Sequence, residues 1–414
     1  MTTPSAPGTE SEMMFEPTSA EFARDRYAIY RRFREQDPVH WRSGRNGGGR
    51  WVLFRHADVS RALTDSAFGR QVAPPAGATA PASAPRPFPA LSALISSWMI
   101  FRDHPEHDRM RNPVARAFTP SEVARLRTRA QTLVETVLDE LETRADFDVV
   151  EDFACTLSLR MIAELIGLDG VDLRMLRAWS LALAVAIDAE PTPAALERAE
   201  LAARELTGVV GLALERRRRE PRGDLLSQLL AASGGEQGLD EHEIISNCIL
   251  LVGAGHETTT SVIGFVVACL LAKPECFERL AAVPSARHAI IEECLRYESP
   301  VQFTARVVKS EVELGGRRLV PGQQVDLGLG SANRDPEVFA EPERLDLERK
   351  PGEHLAFGGG RHFCLGAPLA RMEAAVALEA IARRGRRWQR VEPNLTWRPA
   401  IAFRALERLV VRRG

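Results

Sequence analysis

No two cysteines in this chain have the CxxC spacing; the six lie scattered at positions 155, 248, 269, 276, 294 and 364. That argues against a zinc ribbon and offers no disulfide framework. Such usage fits a reducing cytoplasm. Excess charge is also missing: the net is −2 over 414 residues, so no global field calls for nucleic acid or an anionic membrane. The opening MTTPSAPGTESEMMFEP has neither the basic nor the apolar region of a signal peptide. No internal repeat is present, and no G-x-G-x-x-G fingerprint for NAD or FAD.

What is there is an ordinary globular composition, 45% hydrophobic and 27% charged, long enough to bury a large core. Residues 1–15 are expected to be a disordered tail and 16–414 a single domain. Two short strands are expected in VHWRSGRNGGGRWVLF around a turn at Asn46 to Gly49, then a short helix in HADVSRALTD. The Pro/Ala-rich stretch 71–97 reads as a long functional loop. From about 105 to 300 the pattern is helical. Strands are expected again in 301–330, with Gly-Gly and Pro-Gly turns, and in 390–414. The fold class is mainly α with a small β region drawn from 37–54, 301–330 and 390–414.

The longest apolar run, IISNCILLVGAGHETTTSVIGFVVACLLA, is long enough to suggest a membrane span. His256, Glu257 and three threonines at its centre argue against one, because charge at mid-bilayer is costly. A buried helix fits better, capped by Asp240 with Glu243 at its third position and ending at Lys273-Pro274. Gly255 weakens it, and threonine hydroxyls there bond back to carbonyls and bend it. Glu257 and Thr258 are polar groups in an apolar segment and are expected to meet water or a ligand.

Cys364 lies between Gly358-Gly359-Gly360 and a helix start marked by Pro368. The glycines admit backbone shapes closed to other residues, and a helix N-terminus favours thiolate. Such a thiolate suits a nucleophile, a redox thiol or a metal ligand. His362 is too near in sequence to serve as a base, and no resolving cysteine is close. Ligation of haem iron by one thiolate needs no second protein ligand on that side.

FGGGRHFCLG resembles the haem-binding loop of the cytochrome P-450 monooxygenases, Phe-x-x-Gly-x-(Arg/His)-x-Cys-x-Gly. Phe357, Gly360, His362, Cys364 and Gly366 fall on its positions. The resemblance implies the fold of that family, with haem b between a long central helix and the cysteine loop. It makes Cys364 the axial iron ligand and His362 a contact to a haem propionate, with Phe357, Gly358, Gly366 and Ala254 beside the cofactor. AGHETT resembles the family's oxygen-binding motif, which assigns Thr258 to steadying dioxygen and its water, and Glu257 to proton delivery. His256 stands at a variable position and is expected to be non-catalytic. HPEHDRMR and VQFTARVV resemble the propionate-contacting segments, through His107, Arg111 and Arg306. Glu293 and Arg296 in EECLR resemble the family's Glu-x-x-Arg pair, with Arg344 of PERL as its structural third member.

The likeness runs over roughly residues 35 to 410; Gly359 departs from it, where larger residues are common. It implies an enzyme that inserts one oxygen atom from O2 into a C–H or C=C bond of a bulky, largely apolar molecule, in secondary metabolism. Oxidative coupling, cyclisation or peroxide-driven oxidation are alternatives, and a non-catalytic scaffold of the same fold is a weaker one. The pocket would draw on Phe88, Leu91, Trp98, Leu183, Val185, Leu251, Val301, Phe303, Ile401 and Phe403. Electrons would come from a ferredoxin and its reductase, docking on Arg109, Arg116 and the RRGRRW cluster at Arg383 to Trp388. No nucleic acid partner or membrane span is implied, and the location would be cytoplasmic.

Overall fold

The structure, a computed structural model, describes residues 13–44, 48–71, 87–188, 191–235, 238–283 and 285–413. Half of the expected turn at Asn46 to Gly49, most of the 71–97 stretch and residues 1–12 lie outside the described residues. The chain sorts into two compact units, each assembled from distant segments.

The first unit comprises 1–78, 292–364 and 399–404. Its five-stranded sheet runs Val39–Ser43, Gly49–Leu53, Gln324–Gly328, Phe303–Val308, Phe68–Gly69. The first two strands pair antiparallel with Val39 opposite Leu53, as the Gly-rich turn between them predicted. Val39, Trp51, Leu53, Val325 and Leu327 bury one side of this sheet. A second core gathers Phe15, Phe22, Tyr30, Phe33 and Phe54 under the helix Arg26–Gln36. Phe15 is only 4% exposed and meets Phe22, Phe33 and Phe54 edge-on, so the tail expected to be disordered through residue 15 is anchored by its last aromatic.

The second unit comprises 79–291, 365–398 and 405–414. Its axis is the helix Glu241–Ala272. Asp240 and Glu243 form the expected reciprocal capping box, and the helix stops at Lys273 before Pro274. This helix is long and apolar enough to cross a membrane, yet most of its apolar window is buried in protein. Against it pack Thr156–Ile166, Ala367–Arg384 and Pro193–Arg219. Gly255 has a packing reason: a Cβ there would stand 2.9 Å from the Ile162 side chain, which would have to shift to admit it. The backbone stays α-helical through the whole AGHETT segment.

The 71–97 stretch was expected to be loop, but its end, Pro89–Ser96, is a helix. Phe88 provides no side-chain cap. The cap comes from another element: Glu200, on Pro193–Arg219, accepts the backbone N–H of Ala90 at 3.2 Å and of Leu91 at 2.8 Å. Asn247 of the long helix then fixes the exit, accepting from Met99 N–H at 2.9 Å and donating to the Ser97 carbonyl at 3.0 Å. A cap supplied more than a hundred residues downstream leaves no local signal.

Candidate functional site

The cysteine loop is built by glycine. Gly358 and Gly360 have φ of +69° and +62°, a left-handed region costly for side chains, and a Cβ on Gly360 would collide with the Leu63 carbonyl. The chain makes one 3₁₀ turn, Gly360–His362, and the Cys364 N–H donates to the Phe357 carbonyl at 2.9 Å. His362 and Phe357 are half-buried. Among the six cysteines, five are buried and Cys364 alone is half-exposed. Burial pushes the Cys155 and Cys248 thiols up to about 12, which makes them inert core residues. Gly366 is the N-cap of the helix that follows, Ala367–Arg384, with Pro368 in its first turn.

In the same unit as the loop, Glu293 and Arg296 are a buried pair, 1% and 2% exposed at the side chain, joined at 2.7 Å and 2.8 Å. The third member is a correction. Arg349, not Arg344, reaches Glu293, at 3.1 Å. The Arg344 guanidinium turns instead to exposed Glu341, and only its backbone carbonyl accepts from Arg296, at 3.3 Å. In PERLDLER both arginines are within reach by spacing, and only the path of the chain chooses between them. Arg306 is 4% exposed, with Nη1 donating to the Ala305 carbonyl at 2.9 Å.

The acid–threonine pair stands in the second unit. Thr258 Oγ1 donates to the Ala254 carbonyl at 2.9 Å. Glu257 Oε2 accepts from Arg398 Nη1 at 2.9 Å, and its Oε1 lies 3.0 Å from His256 Nε2. His256 is fully buried and Glu257 is 15% exposed at the side chain. Burial pushes the Glu257 carboxyl up, but His256, Arg398 and Arg177 together outweigh it and hold it below the usual carboxylate range. Sequence reasoning missed Arg398, which no spacing relates to Glu257, and set His256 aside. His107 is 1% exposed, with Nδ1 2.9 Å from Asp108, and Arg111 lies half-buried on the same helix, Glu106–Ala115.

The family model for Cytochrome P450 matches residues 198–282 and 287–385. The biotin biosynthesis cytochrome P450 of Bacillus subtilis is 34% identical over 393 residues, which is 95% of this chain and 97% of the relative. The chain belongs to the cytochrome P450 family. The polyketide biosynthesis cytochrome P450 PksS of Bacillus subtilis is 33% identical, covering 97% of this chain and 98% of its own. A crystal structure of P450BioI with an acyl carrier protein ligated to hexadec-9Z-enoic acid superposes with a TM-score of 0.87. Its identity is 34%, covering 95% of this chain and 100% of that one. The fold is the cytochrome P450 fold, and the chain is a cytochrome P450 monooxygenase, which uses haem and O2.

The residues present fit haem. The half-exposed thiol on a glycine cradle suits an iron ligand. Trp98, 2% exposed, carries a buried indole N–H with no hydrogen-bond partner, an orphan donor that suits a carboxylate or carbonyl of a bound molecule. Of the residues expected to line a cytochrome P450 pocket, Leu91, Leu183 and Leu251 are buried, and Phe88, Val301, Ile401 and Phe403 half-buried, with Val301 bridged to Phe403. Val185 is 46% exposed. Phe303 is half-buried, with one side packed on Phe15 and Tyr30 at 6.0 Å and 5.7 Å.

Of the six expected docking arginines, three are spent internally. Arg109 forks onto Glu243 and Glu106. Arg383 pairs with Glu135, and Arg384 meets Asp139 at 2.6 Å and Glu135 at 3.2 Å. Arg116, Arg386 and Arg387 are exposed.

Proposed function

We propose that this cytochrome P450 holds haem b through the Cys364 thiolate and oxidises a bulky, largely apolar molecule in secondary metabolism. Bound haem supplies the activation of dioxygen and the insertion of one oxygen atom into a C–H or C=C bond. The half-exposed Cys364 on its glycine loop, against five buried cysteines, carries the reading. Arg306, His107 and Arg111 pair with the propionates, being buried or half-buried bases of the right charge.

Thr258 gives its hydroxyl hydrogen to the Ala254 carbonyl, so its oxygen is left to accept. It therefore orients a water or another O–H donor at that point. Glu257 moves the protons, and Arg398 holds it in place at 2.9 Å. An apolar substrate is supported by buried Leu91, Leu183 and Leu251. It is supported too by relatives whose names place a fatty acyl chain on a carrier protein, or a polyketide, beside this fold. A ferredoxin and its reductase supply electrons in the cytoplasm; the exposed Arg116, Arg386 and Arg387 are the cations left for an acidic partner.

The test is the spectrum of the reduced, carbon monoxide-bound protein. A strongly red-shifted Soret band is expected, and Cys364→Ser should abolish it while haem is retained. An ordinary haem band in the unsubstituted protein refutes the thiolate.

A further inference from the structure

We propose that His256 is a proton store for Glu257, holding on Nε2 the proton that the carboxylate passes on. The use of that proton rests on the monooxygenase reading; its location does not. The geometry begins at the other ring nitrogen. Nδ1 lies 3.0 Å from the Val252 carbonyl, which only accepts, so Nδ1 carries a hydrogen. Ser180 Oγ, 3.3 Å from the same nitrogen, is able to accept as well. In a neutral ring Nε2 is then a bare lone pair.

That lone pair faces Glu257 Oε1 at 3.0 Å. Both atoms are buried, and neither has another hydrogen-bond partner. Two lone pairs in that position repel, and each forfeits a hydrogen bond to water. One proton between them removes both costs. Arg398 on Oε2 stabilises the carboxylate form, which puts the proton on the imidazole.

The surroundings keep the proton transferable. Arg177, from the helix Leu173–Ala186, pairs with Glu151 of the Val149–Cys155 turn and adds to the field at Glu257. With the proton in place, Arg398, Arg177 and His256 stand as three cations against the two carboxylates Glu257 and Glu151. Without it the count is two against two, so discharge leaves a balanced cluster. The proton moves from Nε2 to Oε1 and on from the carboxyl, the ring keeps its hydrogen on Nδ1, and a proton from water resets Nε2. The ring and the carboxylate are close but poorly aligned, so a small rotation of Glu257 accompanies each transfer.

The experiment is imidazole nitrogen NMR on the diamagnetic reduced, carbon monoxide-bound holoenzyme, with the His256 signal assigned by its loss in His256→Gln. At neutral pH both ring nitrogens of His256 are expected to carry hydrogen. In Glu257→Gln, Nε2 should be bare and Nδ1 still protonated. A bare Nε2 in the unsubstituted protein, a bare Nδ1, or an Nε2 proton that survives Glu257→Gln overturns the proposal. A second readout is product formed per NAD(P)H consumed across pH. His256→Gln should lower it several-fold with the carbon monoxide band intact and flatten its pH dependence; an unchanged profile also overturns the proposal. Loss of the red-shifted band itself in the unsubstituted protein breaks the monooxygenase reading and leaves the NMR result standing.

Discussion

Glu257 and Glu373 are both acids on long helices of the same unit, and both are largely removed from water. Glu257 meets His256 and Arg398, and these hold it ionised against the cost of burial. Glu373 is 2% exposed and meets the hydroxyl of Ser158; burial pushes its carboxyl well above the usual range despite that neighbour. One residue type is therefore shifted in opposite directions in neighbouring helices. Burial is common to both, so the partners decide: a cation near the carboxylate oxygens reverses the sign of the shift. A charged, partnered acid is able to exchange protons. A neutral, isolated one is a packing group.

The comparison is broken most directly by removing each charge in turn. Glu257→Gln is expected to cut product formed per NAD(P)H consumed by ~10²-fold, the scale of a lost general acid. Glu373→Gln should leave that ratio unchanged, and both variants should keep the carbon monoxide band. Equal losses in the two would erase the distinction.

The next largest effect is on stability. Arg398→Met strips the cation from a buried carboxylate, and breaking such pairs costs about 3–5 kcal/mol. Arg398 is 22% exposed, so the low end, about 3 kcal/mol, is expected in urea unfolding at pH 7. Restoring full stability by adding Glu257→Gln to Arg398→Met would show that the loss is the uncompensated charge; a persistent loss would assign it to packing.

The smallest effect is in the pH dependence. Glu373 has a folded-state pKa raised above its unfolded value near 4.3, so its contribution is complete below that value and is lost as pH rises through the folded one. Glu257 is depressed, so its contribution is present above the unfolded value and is lost as pH falls through the folded one. Glu373→Gln should therefore be near-neutral below pH 4 and increasingly more stable than the unsubstituted protein as pH rises from there towards 9. Glu257→Gln should narrow the stability gap as pH falls below 5. Thermal unfolding across this range checks both signs, and parallel curves would mean that the two acids share one environment.

Much of the site was legible because its chemistry is written in short stretches. The glycines of FGGGRHFCLG are needed where φ is positive, and the capping box of Asp240 and Glu243 spans a single turn. The buried Glu293–Arg296 pair is one turn of helix. Other features had no local sign. The helix at Pro89 takes its cap from Glu200, Glu293 takes its second arginine from position 349, and Arg109, Arg383 and Arg384 find acids on other helices.

By itself, the sequence determined the family, the glycine–cysteine loop, the capped central helix and the acid–threonine pair. In each, the requirement is met within a few residues by backbone conformation or helical spacing. Tertiary structure alone decided that cations hold the Glu257 carboxyl down, that His256 is buried against it, that Val185 is exposed and that Phe303 packs on the aromatic core. Those outcomes depend on which side chains packing brings within a few ångströms, and on how much water it leaves between them.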